Sequence, residues 1–119
     1  MNDNEIFYLE EMSRILRKKW SICILTDLFL GAKHFQEFQD DLPNVSPKVL
    51  NEFLKELEEY GFIKKETVNS KTTEYNLTKN GLHTKEFIIQ YYSFLLKMSK
   101  TEKQKETIQD ILEGLEGGM

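Results

Sequence analysis

The sequence predicts a mainly α chain with one small β-hairpin, and three observations predict it. A helix with its own start and stop signals occupies residues 46–61. A shorter apolar-faced segment and a Pro43-Asn44 turn stand directly before it. Two runs rich in β-branched and aromatic residues, separated by a polar turn, stand directly after it. Helix, tight turn and capped helix make the outline of a helix-turn-helix. A hairpin immediately following that outline makes it a winged helix, a conjunction much more specific than either part. Residues 1–119 read as a single winged-helix domain by size. The helix-turn-helix lies at about 34–60, the wing at about 62–78, and extra helices lie before and after.

Each element has its own justification. Ile6, Leu9, Met12, Ile15 and Leu16 recur at helical spacing, with Phe7 and Tyr8 beside them, and predict a first helix over 5–16. Arg17-Lys18-Lys19 marks a junction. Trp20 to Leu30 is apolar nearly all round, which belongs in the middle of a core. Its length of about 11 residues favours a helix over a buried strand, and Gly31 ends it. His34 to Leu42 carries Phe35, Phe38 and Leu42 on one face. In the next helix Ser46 is a natural N-cap, Pro47 suits the first helical position, and Gly61 supplies the left-handed residue that terminates it. Leu50, Phe53, Leu54 and Leu57 form its apolar stripe, leaving Lys48, Asn51 and Lys55 on the solvent side.

Residues 62–68 and 72–78 flank Asn69-Ser70-Lys71 and read as a β-hairpin. Thr78 or Asn80 can start a long aromatic-rich helix over about 80–98. It holds more apolar surface than one small domain needs on a terminal helix, and such a surplus marks a partner interface. Residues 101–115 form a weaker amphipathic helix with Ile108, Ile111, Leu112 and Leu115.

Composition narrows the function classes. No apolar run approaches the roughly 20 residues of a membrane span, and the acidic N-terminus lacks a signal-peptide pattern. The single cysteine, Cys23, has no internal disulfide partner and lies in an apolar run. A buried structural thiol in a reducing cytoplasm is expected. A net charge of −4 counts against a protein that coats DNA non-specifically. It leaves room for a local cationic face, and positive charge does cluster at Arg14-Arg17-Lys18-Lys19 and at Lys64-Lys65. His34 and His83 are isolated, and no His/Cys/Asp/Glu set has metal-ligand spacing, so neither metal nor cofactor is expected. No nucleophile has an identifiable base and no glycine-rich phosphate loop exists, which argues against an enzyme.

Several motifs, in order, carry a family resemblance: Lys19-Trp20 opening an apolar helix, Gly31 through Phe35, residues 42–50 (Leu-Pro-Asn-Val-Ser-Pro-Lys-Val-Leu), residues 56–63 (Glu-Leu-Glu-Glu-Tyr-Gly-Phe-Ile), and Glu74-Tyr75-Asn76-Leu77-Thr78 with Gly81 soon after. Together they resemble the HxlR family of bacterial and archaeal winged-helix transcription regulators, relatives of the MarR group, from about Phe7 to Leu96. The resemblance implies a homodimer on double-stranded DNA, paired through the first helix and the C-terminal helices at about 80–115. Ile6, Leu9, Phe87, Tyr91, Phe94 and Leu95 are the expected interface. It implies that the helix at 47–60 enters a major groove of a two-fold-related operator while the wing approaches the neighbouring backbone or minor groove.

The chain also departs from the family. Phe7 stands where many members carry a cysteine, which puts thiol sensing in doubt. Phe53, Thr72 and His34 stand where arginines are frequent, and the wing is shorter and lacks prolines.

On the DNA reading Ser46, Pro47, Lys48, Asn51 and Lys55 form the groove set, with lysine suited to guanine or phosphate and asparagine to adenine. Lys64, Lys65 and Lys71 form the wing set, neutralising backbone charge. The plainer reading of the first set is a solvated helix face, and of the second, edge-strand lysines that discourage aggregation. A rival reading is a winged-helix protein–protein interaction module with weak or lost DNA binding. Its motivation is an exposed Phe53, the missing arginines, and Glu52 and Glu56 on the presumed DNA helix. A small-molecule effector of unknown identity, held near Trp20, Tyr91 and Tyr92, is compatible with the DNA reading.

Overall fold

The computed structural model describes residues 2–117 and not the side chains of Tyr8 and Met12, so the expected place of Met12 on the first helix's apolar face lies outside the described residues. The order is α1 (Asp3–Arg14), a 3-10 turn (Ile15–Arg17), α2 (Ser21–Phe29), α3 (Phe35–Asp41), α4 (Pro47–Glu59), β1 (Ile63–Val68), β2 (Thr72–Leu77), α5 (Lys79–Leu82), α6 (Thr84–Met98) and α7 (Glu102–Gly117). This is the mainly helical winged helix that the sequence predicts, with its hairpin directly after the helix-turn-helix of α3 and α4.

The core forms around α2, where Ile24 and Leu25 are completely buried. Leu50, Leu54 and Leu57 of α4, Phe38 of α3, Ile88 of α6 and Leu115 of α7 close around them. Gly31 and Gly61 both take left-handed backbone, at φ +109° and +83°, and end α2 and α4. The first helix differs from expectation at its end. It stops at Arg14, and Ile15 and Leu16 belong to the 3-10 turn. Ile15 is buried there, where its carbonyl accepts from the Ser21 hydroxyl.

The long helix expected from about residue 80 is two helices. Thr78 caps α5 by accepting from the Gly81 N–H at 3.1 Å. The backbone carbonyl of Phe62 lies against Gly81, where a Cβ would sit 2.1 Å from it. The Thr84 hydroxyl then donates to the Gly81 carbonyl at 2.6 Å, satisfying it at the break before α6. The interruption at His83 falls two residues after the glycine that packs on the start of the wing.

In the wing β1 and β2 pair antiparallel from Ile63↔Leu77 to Val68↔Thr72. Asn69 and Ser70 are both left-handed (φ 55° and 64°), and the Lys71 N–H donates to the Val68 carbonyl at 3.3 Å. This is a type I′ turn, which fits the twist of a hairpin. Asparagine suits its position; serine does not. Ser70→Gly should therefore stabilise the fold by about 0.5–1 kcal/mol, read as a raised urea midpoint with an unchanged slope.

The outer edge of β2 is not left open. The Tyr75 N–H donates to the Lys33 carbonyl at 2.8 Å, and His34 Nδ1 lies 3.1 Å from the Thr73 carbonyl, to which it must donate. His34 thus ties the α2–α3 connection to the wing, and Tyr75 packs edge-on against Phe38 at 6.0 Å.

Candidate nucleic-acid interface

The start of α4 is built as its sequence dictates. The Ser46 hydroxyl accepts from the Val49 N–H at 3.2 Å, and Pro47 opens the helix. The turn before it is held by Gln39, whose side-chain amide donates to the Leu42 carbonyl (3.2 Å) and the Val45 carbonyl (2.6 Å). Gln39 therefore sets how α4 leaves α3. Sequence reading missed it, because a glutamine on a short helix gives no local sign that it clamps the turn beyond.

Ser46, Pro47, Lys48, Asn51 and Lys55 are all exposed. At roughly 100° per residue, the direction opposite Leu50, Leu54 and Leu57 belongs to Lys48, Glu52, Lys55 and Glu59, each exposed. Asn51 lies on the flank of that face. Two residues that motivated the protein-interaction reading do not stand on it. Phe53 is half-buried and packs against the core, because it borders the leucine stripe. Glu56 faces the basic junction before α2, its carboxylate 3.6 Å from the Lys18 ammonium. The expected exposed Phe53 is thereby corrected.

The wing lysines are exposed but differ in engagement. The Lys64 ammonium is 3.3 Å from the Glu66 carboxylate. The Lys65 N–H donates to the Glu58 carboxylate at 3.3 Å, and its ammonium lies 5.9 Å above the Tyr75 ring. Lys71 stands at the tip, beside the left-handed pair. In the basic cluster before α2, Lys18 is occupied by Glu56 and Lys19 lies 4.8 Å over the Trp20 ring.

The expected pairing residues lie on α1 and α6. Ile6 (41%), Leu9 (49%), Phe87 (47%), Tyr91 (37%) and Phe94 (60%) are exposed in the isolated chain. Leu95 is different: it is half-buried against the core and lines a small hollow with Met98, Gln104 and Ile108. The apolar face of α7 is spent within its own chain, with Leu115 buried and Ile108, Ile111 and Leu112 packed on the core.

A cavity of about 370 Å³ lies between α2, the end of α3, α6 and α7, lined by Cys23, Asp27, Asp41, Tyr92 and Ile111 among others. Tyr92 and Thr26 hydrogen-bond there at 3.2 Å. Trp20 and Tyr91, expected near such a space, do not line it. Burial, then the neighbouring Asp27 and Asp41, push the Cys23 thiol up from its ordinary value, as suits a structural thiol. Burial and the adjacent Asp41 push the Asp27 carboxyl up to about 8. Glu37 is held below the usual carboxylate range by accepting from the Lys33 and His34 N–H groups. Among the described residues no group of three or more His, Cys, Asp or Glu side chains is placed to hold a metal ion. No helix among them is long and apolar enough to cross a membrane.

A capped helix that exposes Lys48, Glu52, Lys55 and Glu59 away from the core, a clamped turn before it and a lysine-tipped wing after it define a winged helix-turn-helix. The chain belongs to the HxlR-like helix-turn-helix family, whose model matches residues 15–104. It is 38% identical over 84 residues to the uncharacterized HTH-type transcriptional regulator YvaP of Bacillus subtilis (strain 168), covering 68% of this chain and 78% of that one. It is 32% identical over 75 residues to the HTH-type transcriptional regulator YodB of the same strain, covering 61% and 67%. The quinone-bound structure of YodB from B. subtilis superposes with a TM-score of 0.65 at 26% identity, covering 82% of this chain and 99% of that one.

Proposed function

We propose that the chain acts in the cytoplasm as a homodimer that binds a two-fold-related operator in double-stranded DNA and changes transcription by occupying it. The observation that carries this reading is the face of α4 opposite the core, with Lys48 and Lys55 exposed on it next to an uncluttered, Ser46-capped helix start. That start carries the positive end of the helix dipole and suits a phosphate. Ser46 and Pro47 seat the helix end at the backbone, Lys48 and Asn51 meet base edges, and Lys55 meets a phosphate or base further along. Lys71 reaches the backbone beside the groove, and Lys64 and Lys65 add weaker attraction, since both already have partners. No cofactor is required for these contacts.

The dimer is supported by the exposed apolar residues of α1 and α6. Two copies burying Ile6, Leu9, Phe87, Tyr91 and Phe94 would relate two α4 helices by a two-fold axis. Half-sites then fall about 10 base pairs or a multiple apart. Light scattering should give twice the chain mass of 14.1 kDa at micromolar concentration; a strict monomer would sink the two-fold operator.

The binding reading is tested by selecting duplexes from a random pool, then titrating the winner and a scrambled duplex by fluorescence anisotropy at several salt concentrations. Preference by ~10³-fold or more, with affinity falling as salt rises, is expected. Lys48→Ala should cost about 1–3 kcal/mol on the selected site. Lys71→Ala should weaken all sequences alike and reduce the salt slope by about 1. If neither substitution changes binding, α4 and the wing are not the DNA contacts.

A further inference from the structure

We infer that Glu52 is a specificity-determining residue of the interface, accepting a hydrogen bond from the exocyclic amino group of a cytosine in the major groove, with Lys48 and Lys55 flanking it; this rests on the DNA-binding reading of α4.

Glu52 is exposed on the face of α4 directly opposite Leu50 and Leu54. Among the described residues it takes part in no ion pair or hydrogen bond of its side chain, whereas the Glu56 carboxylate is paired with the Lys18 ammonium and the Glu58 carboxylate accepts from the backbone N–H of Lys65. It lies four residues after Lys48 and three before Lys55, so both ammonium groups neighbour it on the helix surface. Glu59 shares the face but lies at the far end of the helix, seven residues on, whereas Glu52 stands between the two lysines. A carboxylate placed there on a face that meets a polyanion weakens binding to every sequence alike. The flanking lysines reduce that repulsion without removing it.

The repulsion is offset only where the carboxylate finds a donor, and the groove offers few. Guanine presents two acceptors, thymine an acceptor and a methyl group, and adenine a donor beside an acceptor that repels a carboxylate. Cytosine presents its amino donor without an acceptor on its own edge. The guanine paired with that cytosine turns its O6 and N7 acceptors into the same groove, where Lys48 or Lys55 donates. Lysine, glutamate and lysine on one face are therefore complementary to a C·G pair and most hostile to guanine opposite Glu52. The carboxylate acts by exclusion as much as by attraction, which is how a difference in affinities becomes specificity.

The test is selection from a random duplex pool with the full chain, Glu52→Ala and Glu52→Gln, followed by titration of each on the wild-type site and on sites altered at one position. Wild type should enrich cytosine at one position of each half-site. Glu52→Ala should bind scrambled DNA more tightly than wild type and lose roughly 5- to 150-fold of discrimination at that position alone. Glu52→Gln should shift the preference there toward adenine. Glu52 is exposed and its side chain takes part in no ion pair or hydrogen bond among the described residues, so both variants should melt as wild type does. Selection of the same site by Glu52→Ala, with the same discrimination, overturns the assignment while leaving the DNA reading intact. Failure of wild type to enrich any sequence overturns both.

Discussion

Replacing Gly81 with alanine should destabilise the fold by about 3 kcal/mol or more, lowering the thermal midpoint by roughly 10 °C or more. The cause is a backbone atom. A Cβ at residue 81 would lie 2.1 Å from the Phe62 carbonyl oxygen and 3.0 Å from a Leu77 methyl. That carbonyl is already committed, since it accepts from the Thr78 N–H at 3.0 Å, so moving it breaks the hinge between α4, the wing and α5. Gly114 provides the contrast. Its Cβ would meet Leu30 at 2.6 Å, which is also too close, but the obstacle is the end of a flexible side chain that is 45% exposed. Leu30 can rotate into solvent, and alanine is the better helix former, so Gly114→Ala should fall within about 1 kcal/mol of wild type. Urea unfolding of both variants checks the pair. Equal midpoints would mean that the turn at Phe62 yields as readily as a leucine side chain.

The same junction shows where sequence reading stops. The boundaries of α4 are written in local chemistry: a hydroxyl that caps, a proline that starts and a glycine that turns left-handed. Local chemistry can be read residue by residue, and so can the leucine stripe, which also implies the outward face by elimination. The break between α5 and α6 stands beside the place where Phe62 lies against Gly81, a contact between parts of the chain that periodicity does not connect. The His34–Thr73 and Lys18–Glu56 contacts were beyond reach for the same reason. Glu52 is a different case. Its exposure was readable, and it counted as a charge adverse to DNA; its unpaired state between two lysines needed the partners of Glu56 and Glu58 to be seen first. In α1 the helical spacing was right, yet Ile6 and Leu9 remain exposed. Periodicity reports that a face is to be covered and does not say by which chain.

Stability should fall as pH rises from about 4 to about 8, and Asp27→Asn should abolish much of that fall. Asp27 of α2 and Asp41 at the end of α3 face each other beside the cavity, and one Asp27 oxygen is buried with no hydrogen-bond partner among the described residues. Two carboxylates cannot both ionise there at low cost. One proton between them supplies the missing donor, and it is held by burial and by the charge of Asp41, which raise the Asp27 carboxyl from 3.8 to about 8. The sign follows from counting protons. Between those values the folded chain keeps a proton that the unfolded chain has released, so folding binds protons and stability declines with pH across the window. The pair is half-open to water, so the loss is on the order of 2 kcal/mol and not the full value that the shift implies. Asparagine carries a permanent donor in place of that proton. Asp27→Asn should match wild type near pH 5 and exceed it near pH 9, seen as a higher thermal midpoint. The Cys23 thiol, raised first by burial and then by the same two carboxylates, should be alkylated somewhat more readily in the variant at alkaline pH, because one of those charges is gone. A wild type equally stable near pH 6 and pH 9, with Asp27→Asn weaker throughout, would show that both carboxylates ionise without opposing the fold.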